Sequence, residues 1–345
     1  MSPHRAVRPL AAVLLIGACG GEPAPPASIE QLIAALERRV ESVTLAEEEG
    51  GVVPRFNQPR TIGCVNADFR VHEDVPDALR HGLFAQSGSH PAWLRFANAT
   101  RPDDSEKDIR GLSIRVSDVE GEVLSGEPGL QDFLLNSYPA LFVATPEDFL
   151  AFARARDGGS LLRFFADPFD PHLASLLIAL RARAHHLSPL DIRYWSTVPF
   201  ALGPAGQSAP EEGAVKYSVT PCSDYRTEEA VEPGEHQLRA ALAAHLSQEP
   251  ACLAFGVQTR TDAEAMPIED ASAIWDEQAS PFVTVATITI EKQPVGDADT
   301  LERCERDAFN PWQSLPEHLP LGRMNAVRGA VYEHGAAVRE RSGNP

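Results

Sequence analysis

The sequence predicts an α+β fold, a closed antiparallel β-barrel of seven or eight strands with helices packed around it. Three observations lead there. Strand-like runs fall in two groups, at 62–71, 92–98, 109–116 and 131–135, then at 215–220, 253–259 and 282–291. A proline-punctuated helical stretch over 146–195 separates the groups, and an uninterrupted helix closes the chain. The same pattern equally accommodates a β-sandwich.

In chain order, Arg5 and Arg8 precede the apolar run 10–16, which reads as a secretory signal over residues 1–18, too short for a permanent span. Ile16-Gly17-Ala18-Cys19 resembles a bacterial lipobox, which implies lipidation at Cys19 and a flexible tether over 19–28. The expectation is an exported protein on the periplasmic side of a bacterial envelope, touching the membrane through its lipid anchor only. Gly20 carries no inner-membrane retention signal, which points to the outer membrane.

The main domain occupies 29–345. Ile29, Leu32, Ile33 and Leu36 recur with helical period and predict a helix over 29–39. Turn-formers separate the first strands. Segments 146–156, 161–165, 171–186 and 188–195 read as helix or irregular wrapping, broken by Pro168, Pro171, Pro189 and Pro199. A loop rich in Gly and Pro follows at 203–213, then a helix at 235–246 between strands. The last strand alternates as VTVATITIE.

With 345 residues and 43% hydrophobic content the chain can bury one large core. Its net charge of −19 argues against a nucleic-acid partner and against an anionic membrane as an electrostatic target. Cys64, Cys222, Cys252 and Cys304 show no zinc spacing; they allow three disulfide pairings, or buried thiols, and spacing does not choose.

From Met324 no proline interrupts the chain until its end, so Asn325, Arg328, Tyr332 and Arg339 share one helical face. Gly329, Ala330, Gly335, Ala336 and Ala337 surround the tyrosine and leave room for something flat and large. Arg328-x-x-x-Tyr332 in this setting resembles the proximal haem signature of the catalase superfamily. Trp93-Leu94-Arg95-Phe96, Asp108-Ile109-Arg110-Gly111, Gln131-Asp132-Phe133-Leu134-Leu135, Pro139-Ala140-Leu141-Phe142 and Phe309-Asn310-Pro311-Trp312 resemble further motifs of that superfamily, in order along the chain.

The resemblance implies a catalase-like eight-stranded barrel with haem b as cofactor. Tyr332 would be the axial metal ligand, Arg328 its neighbouring cation, Arg55, Arg95 and Arg339 the propionate ligands, and Phe142 a residue against the ring. Assembly into oligomers is common in that superfamily. Asp108 and Arg110 are expected to form a buried pair.

The distal side departs from the superfamily pattern. The catalytic histidine belongs to an arginine-x-x-histidine segment, which aligns with Arg55-Phe56-Asn57-Gln58, so Gln58 stands at the histidine position. The distal asparagine aligns with Ser137, with Asn136 just before it. Glutamine and serine hydrogen-bond but do not shuttle protons near neutral pH. His72, in Arg70-Val71-His72, is the rival for the histidine role; a solvated loop histidine is its plainer reading. His185-His186 lacks convergent partners for a metal.

These features imply a protein acting on hydroperoxides, organic or lipid in preference to hydrogen peroxide. The alternative is a non-catalytic haem carrier or binder of a small apolar ligand.

Overall fold

The computed structural model describes residues 28–48, 53–168, 171–223 and 226–343. The expected signal segment, the expected lipidation residue Cys19 and the expected tether up to residue 27 lie outside them.

Helix α1 (Ile29–Ala46) starts at a capping box, in which Ser28 and Gln31 each bond the other's backbone N–H. It runs beyond the expected 29–39 because Val40 and Thr44 continue its buried stripe. The first strands are β1 (Arg60–Val71), β2 (Gly88–Asn98), β3 (Arg110–Val116) and β4 (Gln131–Asn136). The helical excursion comprises α2 (Pro146–Asp157), α3 (Leu162–Phe165) and α4 (Leu173–Ala182).

Strands β5 (Tyr194–Trp195), β6 (Phe200–Ala201) and β7 (Ala214–Pro221) follow, then α5 (Gln237–Gln248), β8 (Ala251–Thr259) and β9 (Val283–Ile290). The chain ends in α6 (Ala298–Arg306) and α7 (Gly322–Arg341).

One sheet runs β5-β4-β3-β2-β1-β9-β8-β7-β6, and a further β5–β7 pairing closes it. Eight strands thus form an antiparallel barrel, with β6 an extra strand on β7. Closure settles the sandwich alternative, because a sandwich keeps free edges. The stretch 188–195, read as helix or irregular wrapping, holds a short 3-10 turn, Pro189–Asp191, and then β5. Two residues carry no period from which a strand is readable.

Alternation along β2, β3 and β4 sorts their side chains between two sides. Leu94, Phe96, Leu112, Ile114, Phe133 and Leu135 join the main core. That core includes an aromatic cluster in which the Phe133 and Phe255 rings lie 4.8 Å apart. His318 is buried with it, accepting from Leu83 N–H at Nε2 over 3.0 Å and meeting the Tyr217 hydroxyl at Nδ1 over 2.8 Å. The neighbours in the alternation, Arg95, Ala97, Gly111, Ser113, Leu134 and Asn136, line a cavity on the other side.

Helix α7 packs on α1 through Val327 and Val331 against Leu32, Leu36 and Val40. Disulfides pair Cys64 with Cys304 and Cys222 with Cys252. The expected Asp108–Arg110 pair does not form. Asp108 accepts from Thr100 and Arg101, while Arg110 donates to Asn98 and to the carbonyls of Asp104 and Glu106. Among the described residues no helix is long and apolar enough to cross a membrane.

Candidate functional site

The cavity measures about 670 Å³ and lies between β2–β4, the helical excursion and α7. A smaller recess of about 50 Å³ shares Gln58, Arg95, Ser113 and Tyr332 with it and reaches Arg55, Gly335 and Arg339. Tyr332 therefore borders both spaces.

Below the tyrosine, α7 is fixed by its small residues and its polar face. Gly329 lies against the Trp312 indole, where an added Cβ would come within 2.3 Å. Gly335 and Ala336 line the recess. The Tyr332 ring packs on Cys64, Trp93, Leu134, Cys304 and Phe309. The Arg328 guanidinium carbon is 5.8 Å from the ring centroid, and its Nη1 donates to Asn325 Oδ1 over 3.0 Å. Asn325 is held in turn, its Nδ2 donating to the carbonyls of Pro199 at 2.7 Å and Leu321 at 3.0 Å.

Three arginines converge at the recess. Arg55 bonds the Glu305 carboxylate and donates to the carbonyls of Cys304 (2.8 Å), Glu305 (2.9 Å) and Asp307 (2.6 Å). Arg339 donates to Glu305 O over 2.6 Å. Arg95 donates to Gln58 O over 2.7 Å and to Thr61 Oγ1 over 2.8 Å.

Burial and then the Arg55 charge push the Arg95 guanidinium well below its ordinary value, and Arg339 to about 10 for the same reasons. Burial opposes ionisation of Glu305, but Arg55, Arg95 and Thr61 outweigh it and hold this carboxyl below the usual glutamate range. Asp307 is shared with Arg303 at 3.7 Å. Positive charge is thus in surplus here, and a bound carboxylate would relieve it.

Across the cavity, Gln58 adopts a left-handed backbone, φ 55°. Its Nε2 donates to Asn136 Oδ1 over 2.8 Å, and its buried Oε1 has no hydrogen-bond partner. The carboxamide rests on Gly111, where a Cβ would stand 2.5 Å from the Gln58 amide carbon.

Gln58 and Asn136 are thus brought together, whereas Ser137 is drawn elsewhere: its Oγ accepts from Arg110 N–H over 2.9 Å. Phe142 lines the cavity and meets Phe152 edge-on, ring centroids 4.6 Å apart. His72 bonds Thr287 Oγ1 over 2.8 Å and lines neither space. Among the described residues no group of three or more His, Cys, Asp or Glu stands ready for a metal ion.

No family model and no curated protein matches the chain. Solved structures do. A fungal catalase superposes with a TM-score of 0.65 at 16% identity, over 96% of this chain and 66% of that one. The fold is catalase-like. Catalase A from Saccharomyces cerevisiae follows at 0.63 and 15%, over 87% of this chain and 63% of that one, and a bacterial catalase at 0.62 and 18%, over 100% and 70%. The catalase-like chain spans about two thirds of the length of these catalases.

The residues present fit the haem that the resemblance implies. The surplus of buried guanidinium charge suits two propionates, and Gly335 and Ala336 line the recess beside the phenol. Glu305 and Ser113 escaped the sequence reading. Glu305 sits on α6, a short and largely polar helix, and meets Arg55 across 250 residues of sequence. Ser113 was recoverable, since it pairs with Arg95 across β2 and β3 and must share its side.

Proposed function

We propose that this chain binds haem b at Tyr332 and acts on hydroperoxides that carry a bulky apolar substituent. The observation that carries the reading is one cavity bordered by Tyr332, the buried Arg95 and Gln58, whose carboxamide Asn136 holds. Haem bound there would supply redox chemistry toward an O–O bond.

The chain's own residues bind and orient. Arg55, Arg95 and Arg339 would hold the propionates, and Asn325 keeps Arg328 beside the phenol. A small turn of the Gln58 carboxamide off Gly111 would let Oε1 accept a hydrogen bond from the hydroperoxide O–H, with Asn136 holding the amide end. Neither amide takes up a proton at neutral pH, so the site lacks the positioned base that speeds hydrogen peroxide turnover. Phe142, Phe149, Phe152, Phe165 and Leu176 give the cavity an apolar lining that suits an apolar substituent.

Expression with haem supply tests this: the protein should show a Soret band that Tyr332→Phe abolishes, and should consume cumene hydroperoxide faster than hydrogen peroxide. A colourless protein overturns the reading. The missing distal base also favours a second reading, a non-catalytic haem or small-ligand binder, recognised by a Soret band without hydroperoxide consumption. The signal at 1–18 and Cys19 support export and anchoring of this domain, to be checked by mass spectrometry of the mature N-terminus.

A further inference from the structure

Ten large hydrophobic side chains stand exposed among the described residues, and five of them fall between positions 161 and 180. Leu161, Leu162, Leu173, Leu177 and Leu180 are 40%, 72%, 56%, 53% and 63% exposed. One exposed leucine is ordinary, but five in twenty residues form a patch. Leu173, Leu177 and Leu180 recur at i, i+4 and i+7, so they leave α4 from one face. A helix this apolar normally lies in a core, yet α4 buries only Ser175 and Ala182.

The same stretch reverses the sign of the chain. Residues 154–183 hold five arginines against three aspartates in a protein of net −19, with Arg156 lying 4.0 Å from Glu47 and the other four in no ion pair with an acid from elsewhere in the described residues. Exposed charges more than about 8 Å away are largely screened at physiological salt, so the local surplus governs what approaches this face. Leu161, Leu180, Arg156 and Arg183 also line the cavity, which therefore opens through the patch.

We propose that this face docks on a phospholipid bilayer, with the leucines entering the acyl boundary and the arginines pairing with lipid phosphates. The cavity then opens into the membrane interface, and an apolar ligand reaches it from the lipid without crossing water. A second copy fits less well, because a two-fold contact through this face would set its arginines against their own equivalents. The proposal does not depend on haem, since its readout is separate from the Soret band.

The test uses the full chain carrying Leu177→Trp, mixed with phosphatidylcholine and phosphatidylglycerol vesicles with or without brominated acyl chains. The tryptophan emission that Leu177→Trp adds should be quenched on the brominated vesicles. Emission added by Ile274→Trp, at a residue 51% exposed and outside the cavity lining, should not be. Combining Leu177→Trp with Arg181→Glu and Arg183→Glu should weaken the quenching. No quenching at 177, or equal quenching at 177 and 274 as a remote tether would give, overturns the proposal. So does a concentration-dependent blue shift of the Leu177→Trp emission without vesicles, which would mean a second copy covers the patch.

Discussion

Gln58 and Asn136 meet across 78 residues of sequence through a single hydrogen bond, Nε2 to Oδ1 at 2.8 Å, while Gln58 Oε1 is buried beside Gly111 without a hydrogen-bond partner. In the proposed haem site an amide pair takes the place of a proton carrier. Gln58→His in the haem-loaded protein should therefore raise hydrogen peroxide turnover, within a range of about 10²- to 10⁴-fold for a positioned acid–base group. Oxygen evolution measures it, and an unchanged rate would show that position 58 does not reach the reacting oxygen.

Gly111→Ala places a methyl 2.5 Å from the Gln58 amide carbon. The obstacle is the end of a flexible side chain, so the carboxamide should swing away at small cost in stability. Hydroperoxide affinity should fall while Tm moves little. A large Tm loss with unchanged affinity would refute the role given to this contact.

Glu305 is held below the usual glutamate range, so its contribution to stability is complete above its unfolded value of about 4.3 and is lost as pH falls through the lower folded value. Glu305→Gln should lower Tm at neutral pH, and its curve should converge with wild type in strong acid. Parallel curves throughout would remove Glu305 as the counter-charge of the three arginines.

Burial lowers His318 to about 3, with a smaller push from His81. A buried imidazole kept neutral stabilises fully above its unfolded value of about 6.5, and the contribution drains away as pH falls toward about 3. His318→Gln should cost about 1–3 kcal/mol at pH 7 through the bonds lost to Tyr217 and Leu83. Urea titrations from pH 7 to 4 should show that gap narrowing.

The Cys64–Cys304 bridge spans 240 residues and ties α6, which carries Glu305, to β1. On the chain-entropy model such a bridge stabilises by about 5.5 kcal/mol. Cys304→Ser should lower Tm and weaken haem retention, because Arg55 takes three of its partners from residues 304, 305 and 307. Unchanged retention would separate the bridge from the arginine cluster.

Much of this was legible beforehand because the signals were periodic. The alternation of β9, the apolar stripe of α1 and the arginine–tyrosine spacing on α7 each depend on residues close in sequence. Position 136 against 137 was not settled by motif spacing, since a shift of one residue at a strand end exchanges the two sides of a sheet. The Cys64–Cys304 pairing and the Arg55–Glu305 contact are long-range and leave no trace in local pattern. The exposed leucines of α4 were visible only as a hydrophobic run, which reads the same whether it faces a core or the outside.

The ring of strands is completed by very little: Trp195 joins β4 through Asn136, and Tyr194 and Trp195 join β7 through Val219 and Ser218. So short a latch should breathe more readily than the long ladders elsewhere, and amide hydrogens at 194 and 195 should exchange before those of β1 or β8. Each opening would also loosen Asn136, the residue that steadies Gln58, so the fit of a ligand is coupled to the weakest joint in the wall that holds it.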